Sequence, residues 1–135
     1  HAFAYPAFQS RRLQQSATRR GNPFVSDARL PAHVEVGGLI RRVQAEGGFA
    51  TVLHKGERDA GTILIVLAQH GENARLFERM PQLDGTRAWV QSKAQDAEKS
   101  GDFSDYLTRR AQQDPDSWIV ELDIAHGERF IAPIA

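Results

Sequence analysis

The hydrophobic positions of the chain begin with a helical spacing. Four aliphatic residues recur at intervals of three and four, which places them on one face of a helix. They are Val36, Leu39, Ile40 and Val43. Pro31 suits the first turn and Gly47 with Gly48 ends it, so the pattern predicts a helix over residues 32–46.

The spacing then changes to that of β-strands. Three runs rich in branched and aromatic residues are separated by turns that contain glycine: FATVLH at 49–54, TILIVLA at 62–68 and ARLFERM at 74–80. Short turns between consecutive strands favour an antiparallel meander. Since TILIVLA is apolar on both alternating faces, we expect it to be the central strand, covered on both sides.

The second half of the chain predicts another helix and further strands. Pro81 ends the third strand, and a short strand is expected at 88–90, followed by a polar loop. Asp102 caps a helix that runs to Gln113, and the last clear strand covers 118–123. This order predicts an α+β domain: an antiparallel sheet of four to five strands with two helices packed mainly on one face.

Composition narrows the class of protein. A length of 135 residues suits one domain, and the chain has no cysteine, which excludes disulfides, thiol nucleophiles and cysteine metal sites. The longest apolar run, at 60–68, is too short for the roughly 20 residues that cross a bilayer as a helix. We therefore expect a cytoplasmic protein that makes no membrane contact.

The net charge of zero conceals two unlike parts. Residues 1–29 contain five arginines and one aspartate, a charge of 5 − 1 = +4, so the rest of the chain carries 12 − 16 = −4. A mildly acidic fold argues against nucleic-acid binding outside the basic segment.

The basic segment lacks any sustained apolar period, so residues 1–29 are predicted to be a disordered tail, and residues 30–135 a single α+β domain. Three alternatives stay open for this tail. It resembles a transit peptide in composition, it is suited to hold nucleic-acid phosphates, or residues 1–24 are not native and precede a start at Val25.

Three blocks of sequence carry a resemblance to a known family. They are RLPAHVEVGGLIRRVQAEGGFATVLHKGERDAGTILIVL, ARLFERMP and YLTRRAQQDPDSWIVELD. Over about residues 29–131 the chain resembles the bacterial, mainly alphaproteobacterial, domain-of-unknown-function family 1491. The resemblance implies a single compact domain in a bacterial cytoplasm and no activity to carry over. It also implies that GERDAG at 56–61 and DPDSW at 114–118 hold something specific to the family.

The first block suggests an anion site at the end of a predicted hairpin. Lys55 and Arg58 would hold negative charge, and Glu57 or Asp59 would act as the catalytic carboxylate of a hydrolase or transferase for a small anionic molecule. His33 and His54 are expected at the same end as further ligand-binding residues. The alternative is an ordinary solvated turn.

No metal or cofactor is predicted. The histidines lack the spacing of metal ligands, and His54 and His70 are expected at opposite ends of the sheet. Asp114 and Asp116 of DPDSW are explained by a turn after the second helix, with a carboxylate pair beside Glu121 as the alternative.

The preferred hypothesis is a non-catalytic interaction or accessory module. Its exposed surface would contact another protein or a second copy of the chain. The residues expected there are Tyr106, Arg109, Arg110 and Trp118. An enzyme acting at the 54–61 hairpin is the main alternative, and nucleic-acid contact through the tail is the weaker one.

Overall fold

A five-stranded mixed sheet forms the centre of the molecule, and the computed structural model describes it within residues 30–131. The predicted basic tail, its alternatives and the last four residues lie outside this range. The elements in chain order are α1 (Ala32–Ala45), β1 (Phe49–His54), β2 (Ile63–Gln69), β3 (Glu72–Pro81), β4 (Arg87–Ala94), α2 (Ser100–Gln113), β5 (Trp118–Asp123) and a 3₁₀ turn (Gly127–Phe130).

The strands lie in the order β1-β5-β2-β3-β4, so β5 separates β1 from β2. It runs antiparallel to β1 and parallel to β2, whereas the other pairs are antiparallel. The α+β class is confirmed, but the predicted pairing of the first two strands is wrong. β5 is buried along most of its length, and a place between two strands satisfies both of its sides.

The central position predicted for β2 is confirmed. Each residue from 63 to 68 is buried, because apolar side chains leave the strand in both directions. One set, Ile63, Ile65 and Leu67, packs beneath α1. The other, Leu64, Val66 and Ala68, packs beneath α2 through Phe103.

The two helices therefore lie on opposite faces, which we call the α1 face and the α2 face. The prediction that both pack mainly on one face is wrong, since a central strand that is apolar on both sides needs cover on both. Neither helix of residues 30–131 is long and apolar enough to cross a membrane.

At the far edge, β4 is longer than predicted. It continues to Ala94, which pairs with Arg75 of β3, so the residues at 91–94 belong to the sheet and not to a loop. Their polar side chains concealed this from the sequence, because an edge strand tolerates exposed polar residues.

GERDAG and DPDSW, the two blocks of the family resemblance, pack against each other in the structure. We call this contact of residues 56–61 with residues 114–118 the clasp. A Cβ added to Gly56 would lie 2.1 Å from the carbonyl oxygen of Asp116, and one added to Gly61 would lie 2.3 Å from the same atom. Only glycine fits at either position. The N–H of Glu57 donates to that carbonyl at 2.8 Å.

Hydrogen bonds extend the clasp to the start of β5. The indole N–H of Trp118 donates to the carbonyl of Glu57 at 2.8 Å, and its backbone N–H donates to Thr62 at 2.7 Å. His54 donates through Nδ1 to the carbonyl of Ser117 at 2.7 Å. These bonds fix β5 beside both β1 and β2.

The clasp also begins α1. The N–H groups of Ala32 and His33 donate to the carbonyls of Asp59 and Arg58, both at 2.9 Å. These donors have no partner within their own helix, so the loop replaces the side-chain cap that α1 lacks.

We expect Gly56→Ala to lower the free energy of unfolding by about 2–3 kcal/mol, because the backbone carbonyl of Asp116 would have to move away. Gly38→Ala is the matched control, since nothing lies within 4 Å of its added Cβ. In the helix interior it should raise stability by about 0.5–1 kcal/mol. Urea denaturation of both variants measures the difference. Equal midpoints for Gly56→Ala and the unaltered chain would contradict the steric role of the clasp.

Candidate functional site

Glu57, one of the two predicted catalytic carboxylates, folds back onto its own loop. Its oxygens accept hydrogen bonds from the N–H of Asp59 at 3.0 Å and of Ala60 at 2.7 Å. These bonds favour the charged form and lower the pKa of Glu57 below its ordinary value. A carboxylate held in this way stabilises the loop and is poorly suited to accept a proton at neutral pH.

His33, Arg58 and Asp59 lie together at the start of α1. The Nδ1 of His33 is 3.0 Å from the carbonyl oxygen of Arg58 and 3.9 Å from the carboxylate of Asp59. The Arg58 and Asp59 side chains are more than half exposed, at 58% and 68%. The structure thus brings these three candidates together on the surface of the clasp.

His54 and Lys55, the other two residues of the predicted anion site with positive or titratable side chains, do not join this group. His54 lines a groove on the α2 face, whereas Asp59 lines a separate cleft beside α1. Lys55 is exposed and lines neither of them. The candidates were expected to share one hairpin end, but residues 55–62 form a crossover past β5, and this places their side chains on different sides of the sheet.

Acidic and histidine residues are also dispersed. Within residues 30–131, no group of three or more histidine or acidic side chains is arranged to hold a metal ion. Glu121 lies on the α2 face between Thr51 and Val66, away from the turn that contains Asp114 and Asp116. Burial, with repulsion from Asp123 as the smaller cause, raises the pKa of Glu121.

Arg110 and Tyr106, from the predicted interaction surface, join α2 to β3. The Arg110 guanidinium donates to both carboxylate oxygens of Glu78, at 2.8 and 3.0 Å, and to the Tyr106 hydroxyl at 3.3 Å. This contact raises the pKa of Arg110 and lowers that of Glu78. The side chains serve the contact between helix and sheet.

The other two members of that surface do not join them. Arg109 is exposed on α2, whereas Trp118 is only 5% exposed and packs in the core of the α1 face. The expectation of an exposed Trp118 is therefore corrected, because its indole N–H donates to Glu57 in the clasp and its ring packs in the core.

The surface that sequence reasoning missed is the outer side of β1. In the described part of the chain, β1 pairs with β5 alone, so its other side has no partner strand. We call this side the β1 edge. Of seven large hydrophobic side chains exposed in residues 30–131, three are on this strand. They are Phe49, Val52 and Leu53, with exposures of 74%, 38% and 47%.

A groove continues the β1 edge onto the α2 face. It has a volume of about 420 Å³ and runs between the strand and α2. Its lining includes Leu53, His54, Leu107, Thr108, Ala111 and Ile119. The register of β1 shifts between Val52 and His54, and this irregularity leaves both Leu53 and His54 at the groove. The absence of charge in FATVLH was the available signal, but the predicted meander placed that strand beside another.

Comparison with known proteins places the chain among small bacterial relatives. The family model described as "Protein of unknown function (DUF1491)" matches residues 30–132. No functionally curated protein matches the chain.

Solved structures of similar proteins have the same fold. A crystal structure of a DUF1491 family protein from Caulobacter crescentus has a TM-score of 0.68 and 35% identity, covering 79% of this chain and all of that one. An NMR structure of such a protein from the same organism has a TM-score of 0.63 and 37% identity, over 78% and 96%. The solution structure of an A. tumefaciens protein has a TM-score of 0.61 and 28% identity, over 79% and 99%.

The pKa values of two glutamates on the α2 face, Glu121 and Glu78, are shifted in opposite directions, which predicts opposite dependences of stability on pH. Glu121→Gln should raise the free energy of unfolding at pH 7, because a raised pKa means that the folded state disfavours the carboxylate. The gain should vanish as the pH falls below the pKa of an unfolded glutamate, where both states are protonated.

Glu78→Gln is the comparison, since the lowered pKa of Glu78 means that its carboxylate stabilises the fold above the unfolded pKa. This variant should lose stability at pH 7 and approach the unaltered chain as the pH falls through the folded pKa. Denaturant titrations at several pH values measure both trends. The same sign for both variants at pH 7 would contradict the assignment.

Proposed function

This chain belongs to the DUF1491 family of proteins of unknown function, and we propose that it is a non-catalytic interaction module that binds protein through the β1 edge. The observation that carries the proposal is a charge-free strand, β1, which has no partner strand on one side within residues 30–131 and carries three exposed hydrophobic residues. Such a strand offers a row of backbone donors and acceptors to an added strand.

The contrast between the two ends of the sheet supports this choice. Proteins protect edge strands against unwanted pairing with charged residues and proline. β4, at the far edge, carries Arg87 and Lys93, whereas β1 has no charged residue and no proline. An edge strand that lacks charged residues and proline is expected where a partner strand covers it.

The groove beside β1 supports side-chain recognition as well as backbone pairing. An added strand would supply main-chain hydrogen bonds, and a side chain entering the groove would contact Leu107 and Ala111. Mainly aliphatic walls favour an apolar side chain at that position.

The hydrolase or transferase hypothesis has less support. Its carboxylate Glu57 is bonded to backbone amides. Its two histidines are apart, since His54 lines the groove on the α2 face and His33 lies beside Arg58 and Asp59 at the start of α1. We further propose a cytoplasmic location, since a chain without cysteine is suited to a reducing compartment.

Site-specific photo-crosslinking tests the proposed function. We expect a benzophenone amino acid at position 49 to form a protein–protein product in the bacterial host, because this side chain is mostly exposed on the β1 edge. The same group in place of Val90, which is 41% exposed on β4, is the matched control and should form none. Leu53→Lys should abolish the product from position 49. The proposal would be rejected if positions 49 and 90 gave the same products, or if Leu53→Lys left the yield unchanged.

A further inference from the structure

We infer that the partner at the β1 edge is a second copy of this chain, paired antiparallel about a two-fold axis at Thr51. This inference rests on the proposed function of the edge and names its occupant. The product is a continuous ten-stranded sheet with both β1 strands at its centre.

The faces of the sheet restrict the register. In an antiparallel pair, directly opposite residues lie on the same face, and a two-fold axis perpendicular to the sheet keeps the α2 faces of both copies on one side. The axis must then pass through a residue and not between two residues. Axes at Thr51 and at Val52 would each pair five residues of the strand, 49–53 or 50–54. Thr51 is the choice that includes Phe49, and it keeps His54, which lies beyond the register shift of β1, out of the pairing.

This register is complementary in shape. It places Phe49 opposite Leu53 of the other copy on the α2 face, and Ala50 opposite Val52 on the α1 face. Phe49 is the most exposed of the large hydrophobic side chains of the strand, and Leu53 lines the groove. Since the axis repeats each contact, both grooves receive a phenylalanine, and the exposed hydrophobic residues of β1 are covered together.

The charges near the strand favour the same arrangement. The folded part of the chain carries 12 − 16 = −4, so two copies repel each other at most surfaces, but β1 itself has no charge. Lys55 follows the strand and makes no ion pair with a described residue. Glu46 precedes the strand; its carboxylate pairs with Arg129 at 2.9 Å, and with its side chain 53% exposed it can accept from a second cation as well. Antiparallel pairing brings Lys55 opposite Gly47 of the other copy, adjacent to its Glu46. Parallel pairing would bring like charges together.

The size of the contact sets the expected affinity. A six-residue strand is about 20 Å long, and its backbone edge alone is smaller than the roughly 800 Å² per partner of a standard interface. The phenylalanines in the grooves are thus a large share of the contact. We expect a dimer that dissociates on dilution through the micromolar range.

Light scattering after size-exclusion chromatography measures this equilibrium. The mass of the unaltered chain should rise with concentration from one chain to two. Phe49→Lys should raise the dissociation constant at least about 10-fold, since it removes the aromatic anchor and adds two like charges. Val90→Lys on β4 is the matched control and should leave the equilibrium unchanged. Because Phe49 is exposed, both variants should retain the unfolding temperature that the parent has at concentrations where it is monomeric.

Engineered cysteines test the axis directly, because the chain has no cysteine of its own. Thr51→Cys should give a disulfide-linked dimer under mild oxidation, since opposite residues of an antiparallel pair have Cα atoms about 4.5–5.5 Å apart. Val90→Cys should stay monomeric. In a mixture, Phe49→Cys and Leu53→Cys should link to each other faster than either links to itself, which distinguishes this register from any other.

The possible failures separate the inference from the function on which it rests. A chain that stays monomeric at every concentration, yet forms an edge-dependent crosslink to a different protein in the host, overturns the dimer and leaves the interaction module standing. A dimer unaffected by Phe49→Lys, and formed without a Thr51→Cys disulfide, overturns both the register and the role of the β1 edge in self-association.

Discussion

The approach of one carbonyl, that of Asp116, to two glycines determines how the rest of the molecule is arranged. Gly56 and Gly61 leave room for it, and the Glu57 N–H bonds to it. The turn before β5 is thereby seated on the crossover between β1 and β2. Because β5 then enters the sheet between those strands, β1 is displaced to the edge. The open strand proposed to bind protein is therefore a consequence of a backbone contact at one end of the sheet.

The sequence predicted the elements well and their order poorly. The bounds of β1 and β5 agree with the structure, because each strand is a short apolar run between strong turn signals. Pairing is not local, and the glycines of GERDAG have the same appearance in a hairpin turn as in a crossover. Nothing in their local pattern identifies the segment of backbone that approaches them in the fold. That segment, DPDSW, lies more than fifty residues further along the chain.

The functional residues could not be assigned from the sequence for a similar reason. Several residues predicted to bind or catalyse are hydrogen-bonded within the fold. Glu57 accepts from its own loop, Arg110 donates to Glu78, and Trp118 donates to Glu57 in the clasp. Their side chains are satisfied by partners that no local pattern reveals. The exposed side chains of the β1 edge are mainly apolar, so no catalytic or ligand-binding motif marks this surface in the sequence. Its significance comes from the lack of a partner strand on the outer side of β1 among residues 30–131, which only the topology defines.

Self-pairing at β1 also explains why only one edge of the sheet is protected by charge. An unprotected edge invites unlimited addition of strands, which leads to aggregation. In a two-fold dimer both unprotected edges are used against each other, and the outer strands of the assembly are the two copies of β4. These carry Arg87 and Lys93, which oppose further pairing. The distribution of charge between β1 and β4 is thus what an assembly that stops at two chains requires.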